Sequence, residues 1–156
     1  MNIFVLDECP KRSARMHCDK HVIKMISESR QMMKLAVDYH NKGRFSSRGY
    51  VNHPCSVWAR DTIDNYMWLY DLAEALNDEY RHRYSKESDH KSWTEIKNMD
   101  MPNIPATGLT QFALAMPIEY QNEEDVVGSY RNYYINEKNY FATWRRRERP
   151  TWWLVQ

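Results

Sequence analysis

Three of the chain's six prolines and one of its four glycines fall between Met101 and Pro117, in MPNIPATGLTQFALAMP, and this clustering of helix breakers constrains the fold more than any other feature. A long helix is denied there, while most of the remaining chain is left with few residues that interrupt one. Helix is therefore favoured over sheet. Charged residues make up 28% and apolar residues 42% of the 156 positions, which reads as a globular chain and not a disordered one. A chain of this length buries roughly two-thirds of the surface its unfolded form exposes, so a single domain over 1–156 with one modest core is expected.

The other breakers and caps place the helices. Asn2 to Leu6 is a short apolar run, read as a strand or an extended arm against the body. Ser13 is the expected cap of a helix running to about His40, with Gly43 in HNKGR as its stop. His53 followed by Pro54 opens a second helix to about Tyr84, whose stripe of Trp58, Leu69, Leu72, Leu76 and Tyr80 is assigned to the core. One short helix is expected around Trp93. Helical intervals from Glu123 to Trp144, through Val126, Tyr130, Tyr133, Tyr134 and Phe141, give the third main helix. The last segment, RRRERPTWWLVQ, is a basic, aromatic tail. The expected fold is mainly α, with three main helices, a short N-terminal strand or arm and long structured loops.

Aromatic residues reach 13%, with six Trp and eleven Tyr, more than core packing alone is expected to use. Cys9, Cys18 and Cys55 form no paired framework, and no apolar run is long enough for a signal peptide or a membrane span, so a cytoplasmic location is expected. The net charge of +1 argues against a protein that coats nucleic acid by charge alone. A local basic stripe remains able to bind phosphate.

The segment Met16 to Gln31, MHCDKHVIKMISESRQ, carries the densest functional chemistry. At about 100° per residue, His17, Lys20, His21, Lys24, Glu28 and Gln31 fall within roughly 120° on one face of a helix. Cys18, Val22, Met25, Ile26, Met33 and Ala36 fall together on another, the expected core face. A solvated stripe with i,i+4 pairs such as Lys24 with Glu28 accounts for the pattern equally well on spacing alone. Histidine is a poor choice for mere solubility, which favours function.

Three chemistries fit such a face. His17 and His21 at i,i+4 could ligate zinc with His53 or a carboxylate, but the HExxH glutamate is missing and Lys20 and Lys24 would repel a cation. No metal and no cofactor are therefore expected. A Cys18 nucleophile is disfavoured because Cys18 falls on the core face. Anion recognition by His and Lys around Glu28 uses every group, with Glu28 as acid, base or stabiliser of an oxocarbenium-like transition state.

An N-terminal arm leading into a helix with a His and a Glu, an HP opening a second helix, and the RPTW of Arg149 to Trp152 together resemble the pyrimidine-dimer DNA glycosylase family of the phage endonuclease V type. The segments HCDKHV (His17 to Val22), NHPC (Asn52 to Cys55), AMPIEY (Ala115 to Tyr120) and the pattern of Tyr133, Tyr134, Glu137 and Lys138 are similar to those of uncharacterised phage proteins. The glycosylase resemblance implies a compact helical fold, an N-terminal amine as nucleophile at the sugar C1′, and a first-helix glutamate acting on the sugar. Glu28 takes that glutamate's role, with His17 near the place of the family's active-site histidine. Removal of an initiator Met requires a small second residue, and Asn2 is bulky. Met1 is thus expected to remain, one residue out of register, which puts a Schiff-base lyase step in question and leaves cleavage by water open.

The expected catalytic residues are Glu28, His17 and His21. Lys20, Lys24, Gln31, Asn52, His53, Arg83, Lys138 and Trp152 are the expected substrate and phosphate contacts, although Asn52 and His53 also suit a helix cap and Lys138 the rim of the core. Arg81, Arg83 and Arg145 to Arg147 read as solvated, or, interleaved with Tyr80, Tyr84, Trp152 and Trp153, as backbone contacts beside stacking platforms. The expected partner is a nucleic acid or nucleotide, with no membrane. The expected activity is N-glycosidic cleavage; the alternatives are a non-catalytic nucleotide- or nucleic-acid-binding protein of the phage counter-defence type and a metal-dependent nuclease or phosphodiesterase.

Overall fold

The computed structural model describes residues 1–154 and is mainly helical; Val155 and Gln156 of the basic, aromatic tail lie outside the described residues. Six α-helices follow in order: α1 Pro10–Met16, α2 Asp19–Lys42, α3 Pro54–Ala59, α4 Ile63–Arg83, α5 Lys91–Lys97 and α6 Val126–Glu137. A single 3-10 turn spans Ile118–Tyr120. The helix α2 packs on α4, with α3 and α5 against α2 and α1 against α4. Its buried side, with Val22, Met25, Ile26, Met32, Met33 and Ala36, is continuous with Leu69, Leu72, Ala73 and Leu76 of α4 in one core cluster. None of the described helices is long and apolar enough to cross a membrane.

The expected first helix is in fact two. Cys9, not Ser13, is the N-cap of α1, and Pro10 takes the first-turn position whose missing N–H costs nothing. The chain then turns extended at His17 and Cys18 before α2 begins at Asp19. The start of α2 is held from far along the chain: the Cys18 N–H donates to the Tyr134 hydroxyl at 3.1 Å and the Asp19 N–H to the Thr143 carbonyl at 2.8 Å. Gly43 ends α2 in the left-handed conformation, φ +66°, as its position in the sequence implies. The second expected helix is also split. Thr62 caps α4 by accepting from the Asn65 N–H at 3.0 Å, so α3 stops at Ala59.

The segment from Asn2 to Leu6 is a buried arm and not a strand. Its backbone groups find side-chain partners: the Leu6 N–H donates to Ser13 Oγ, the Leu6 carbonyl accepts from Arg131 Nε at 2.8 Å, and the Ile3 and Phe4 N–H groups both donate to Asn2 Oδ1. The proline-rich segment from Met101 to Pro117 has no regular structure, as expected. It is tied down by Tyr130, which donates to the Ala113 carbonyl at 2.6 Å, and by Asn65 on either side of Thr110. Five of the six tryptophans, Trp58, Trp68, Trp93, Trp144 and Trp153, are buried, whereas most of the tyrosines, with Tyr39, Tyr50 and Tyr140 exposed, reach the surface, so the aromatics do exceed what the core uses.

Candidate active site

The side of α2 that is not core meets the N-terminal arm. Glu28 is 8% exposed, and its Oε2 accepts from the Asn2 backbone N–H at 2.8 Å and lies 3.8 Å from the Met1 ammonium. Its Oε1 lies 3.6 Å from Lys24 Nζ, one turn earlier on the same face. The Met1 side chain is itself buried, its sulfur 3.3 Å from Ser56 Oγ, so the terminal nitrogen is fixed by packing behind it. A cleft of about 130 Å³ opens over this group, between Phe4, His21, Lys24, Glu28, Tyr133 and Lys138.

His21 reaches the cleft with its ring sandwiched and tethered. It stacks on Phe4 at 4.4 Å between ring centres, and its Nδ1 lies 2.6 Å from the Tyr134 hydroxyl. Burial, with the nearby His17, Lys138 and Lys24, lowers its pKa to about 2, so the ring is neutral at any physiological pH. It can offer a hydrogen bond to a substrate but no positive charge. Lys138 holds its ammonium 5.0 Å from the Tyr133 ring centre and 5.9 Å from that of Phe4, on the rim of the same cleft. His53, the N-cap of α3, uses Nδ1 to accept from the Cys55 N–H, which leaves Nε2 free. Its pKa is lowered by burial and by the Met1 ammonium, while Glu28 acts the other way, so His53 stands within electrostatic reach of both.

Two expected site residues are placed differently. His17 belongs to the C-terminus of α1 and is fully buried, with Nδ1 2.7 Å from the Ser13 carbonyl and Nε2 3.3 Å from that of Ile3. Burial lowers its pKa to about 4. It braces the arm instead of facing the cleft, because the break before α2 takes it off the shared helical face. Arg83 is likewise buried: it donates to Glu79 at 2.8 Å, to Asp19 at 3.1 Å and to the carbonyls of His17 and Arg15. A guanidinium so buried and so committed is not presented to a phosphate. Its role is to tie the end of α4 to the break between α1 and α2.

The other expected contacts scatter. Lys20 is exposed over the Phe141 ring, Asn52 is exposed beside His53, and Gln31 lines a separate cleft one turn further along α2. Trp152 is half-buried, its indole N–H 3.3 Å from the Met16 sulfur. The run after Trp144 is mostly engaged: Arg146 donates to the His82 carbonyl and Ser85, and Arg147 pairs with Glu79 at 2.9 Å. The thiol of Cys18, raised by burial, and that of Cys55, pushed up to about 12, belong to the core. Among the described residues, no three His, Cys, Asp or Glu side chains converge as metal ligands.

Sequence reasoning missed the N-terminal half of this arrangement. The Asn2 N–H, the Phe4 stack and Tyr134 carry no periodic signal that links them to α2. A larger cleft of about 460 Å³ lies between α1 and residues 146–150, but it has no buried carboxylate; the chemistry concentrates where Glu28 meets the arm.

No curated protein and no solved structure gives a significant match to the chain. The family model described as pyrimidine dimer DNA glycosylase matches residues 1–92, the stretch that supplies the arm, α2 with Lys24 and Glu28, and His53, and on that match the chain belongs to the pyrimidine dimer DNA glycosylase family.

Proposed function

We propose that the chain is a DNA N-glycosidase that breaks a base–sugar bond at the Glu28 cleft. The observation that carries this reading is the buried Glu28 carboxylate, held by the Asn2 N–H at 2.8 Å and set 3.8 Å from the Met1 ammonium. As the C1′–N bond breaks, its electron pair leaves with the base and positive charge develops on the sugar. A fixed, largely buried carboxylate stabilises that charge without having to reorganise. The Met1 nitrogen, as its free amine, is close enough to the same carboxylate to add to C1′. His21 serves as a neutral hydrogen-bonding wall, with Tyr134 as its positioning residue, and Lys24 and Lys138 hold the flanking phosphates.

The test is incubation with duplexes carrying pyrimidine dimers, other modified bases and abasic controls, followed by mass analysis of the strands for a broken base–sugar bond. Cleavage by the native chain and its loss in Glu28→Gln, with duplex binding kept, is the expected result. Binding without cleavage on every duplex would overturn the assignment in favour of a non-catalytic binding protein.

A further inference from the structure

The charge of the chain is unevenly placed. Between residues 30 and 60 lie six basic side chains, Arg30, Lys34, Lys42, Arg44, Arg48 and Arg60, against the single acid Asp38, in a chain whose net charge is only +1. The remainder is correspondingly acidic. A field so divided draws a polyanion to one side of the molecule.

That side has a built shape. A cleft of about 440 Å³ lies between α2 and residues 43–53, lined by Arg30, Gln31, Lys34, Ser46, Ser47 and Tyr50 among others. The loop that forms its far wall is pinned at both ends. At one end the Asp38 carboxylate accepts from the Ser46 N–H at 3.1 Å, from the Ser46 hydroxyl and from Lys34, with Lys42 at 3.3 Å. Burial alone would raise the Asp38 pKa, but these donors outweigh it and hold the carboxyl well below the usual range, so this anchor stays charged at neutral pH. At the other end the His53 N–H donates to the Tyr50 carbonyl at 3.1 Å and Arg60 donates to the Val51 carbonyl at 2.6 Å. Arg60 also lies over the stacked rings of Tyr39 and Phe45. Arg44 and Arg48 are exposed, and neither forms a salt bridge among the described residues.

Tyr50 is 58% exposed and holds φ +61°, a left-handed conformation that non-glycine residues rarely adopt. The pinned loop thus presents an exposed aromatic ring on the wall of this cleft. The two clefts are separate but lie along the same helix: Gln31 of the one follows Glu28 of the other by three residues, about 4.5 Å along the axis. Both clefts therefore fall within the span of one bound duplex.

We propose that residues 43–51, with Lys34 of α2, form a second DNA contact that binds the duplex arm flanking the reacting nucleotide, while Arg30 at its edge is paired with Glu95 at 3.1 Å. Arg44, Arg48 and Lys34 take its phosphates, and Tyr50 stacks on a base exposed at the junction. The proposal rests on the nucleic-acid reading of the Glu28 cleft but not on its chemistry.

The experiment compares the full chain with Arg44→Ala/Arg48→Ala and with Tyr50→Ala. Affinity is measured for a dimer-containing and an undamaged duplex across a salt series, with poly-glutamate as competitor and unfolding midpoints as the fold control. The double variant should bind both duplexes at least about tenfold more weakly at low salt, and the slope of log K against log salt should fall by about two. Tyr50→Ala should weaken binding to the dimer-containing duplex more than to the undamaged one. Unchanged affinity and slope in a folded double variant would overturn the proposal, as would poly-glutamate displacing the duplex at equal charge concentration, which would mark a site for acidic protein. Loop-dependent binding by a native chain that breaks no base–sugar bond would support this contact while overturning only the glycosidase reading.

Discussion

The Asn2 backbone N–H donates to Glu28 Oε2 at 2.8 Å, across 26 residues of sequence. This bond makes the first residues of the chain and the middle of α2 one unit, and it selects the orientation in which Oε1 faces Lys24. Replacing the carboxylate by its amide retains an oxygen that can accept from Asn2 but removes the negative charge. Glu28→Gln should therefore lower base–sugar cleavage at least about tenfold, about 1.4 kcal/mol of transition-state stabilisation, with duplex affinity nearly unchanged. A variant that cleaves at the native rate in single-turnover measurements would remove Glu28 from the chemistry.

The position of the Met1 nitrogen, 3.8 Å from Glu28, separates two nucleophiles. An amine that adds to C1′ passes through an imine, which borohydride reduces to a stable secondary amine linking protein to DNA. The expected outcome is a covalent adduct that peptide mass analysis places at Met1. Extending the chain by two residues before Met1 should abolish the adduct. Cleavage that proceeds with no adduct under borohydride would assign the attack to water.

The face bearing Lys24, Glu28 and His21 was legible because one turn of helix brings such residues together whatever surrounds them. The core face of Val22, Met25, Ile26, Met33 and Ala36 was legible for the same reason. The break at His17 and Cys18 was not, since no glycine or proline marks it. It is made by Tyr134, Thr143 and Arg83, residues more than sixty positions away. The break before α4 did leave a local signal, the Thr62 cap, that helical periodicity obscured. Asn2 to Leu6 was legible as an arm but not as a set of partners, because its backbone is satisfied by side chains drawn from α1, α6 and its own first residues.

Arg83 offers a contrast between structural and binding roles. It is buried against Glu79 and Asp19 and donates to two carbonyls at the end of α1. Arg83→Met would take one partner from each of Glu79 and Asp19, leaving Arg147 on the first and the Thr143 hydroxyl on the second, and would orphan the His17 and Arg15 carbonyls, a loss of about 3 kcal/mol. In a chain of this size the melting temperature should fall by roughly 6 to 12 °C. A variant that melts like the native chain but loses duplex affinity would return Arg83 to the binding surface.

The two buried histidines make stability depend on pH in a defined window. His17 has its pKa lowered to about 4 and His21 to about 2, in both cases chiefly by burial, against 6.5 for the exposed ring. Above about pH 6.5 both rings are neutral in the folded and unfolded chain, and they contribute no pH dependence. Below it the unfolded chain binds protons that the folded chain refuses, so stability falls as pH falls, by about 1.4 kcal/mol per unit for each ring. For His17 the loss is complete near pH 4, at about 3 kcal/mol; for His21 it continues lower. Urea unfolding between pH 7.5 and 4.5 should give a flat region and then a decline corresponding to at least about two protons. His17→Asn, which can still donate to the Ser13 carbonyl, should reduce that slope by about one proton. The carboxylates held low, Asp38 and Glu79, act in the same direction but below this range. Stability that stays constant from pH 7.5 to 4.5 would mean that both rings accept protons in the folded state, and the neutral His21 wall of the cleft would be lost with it.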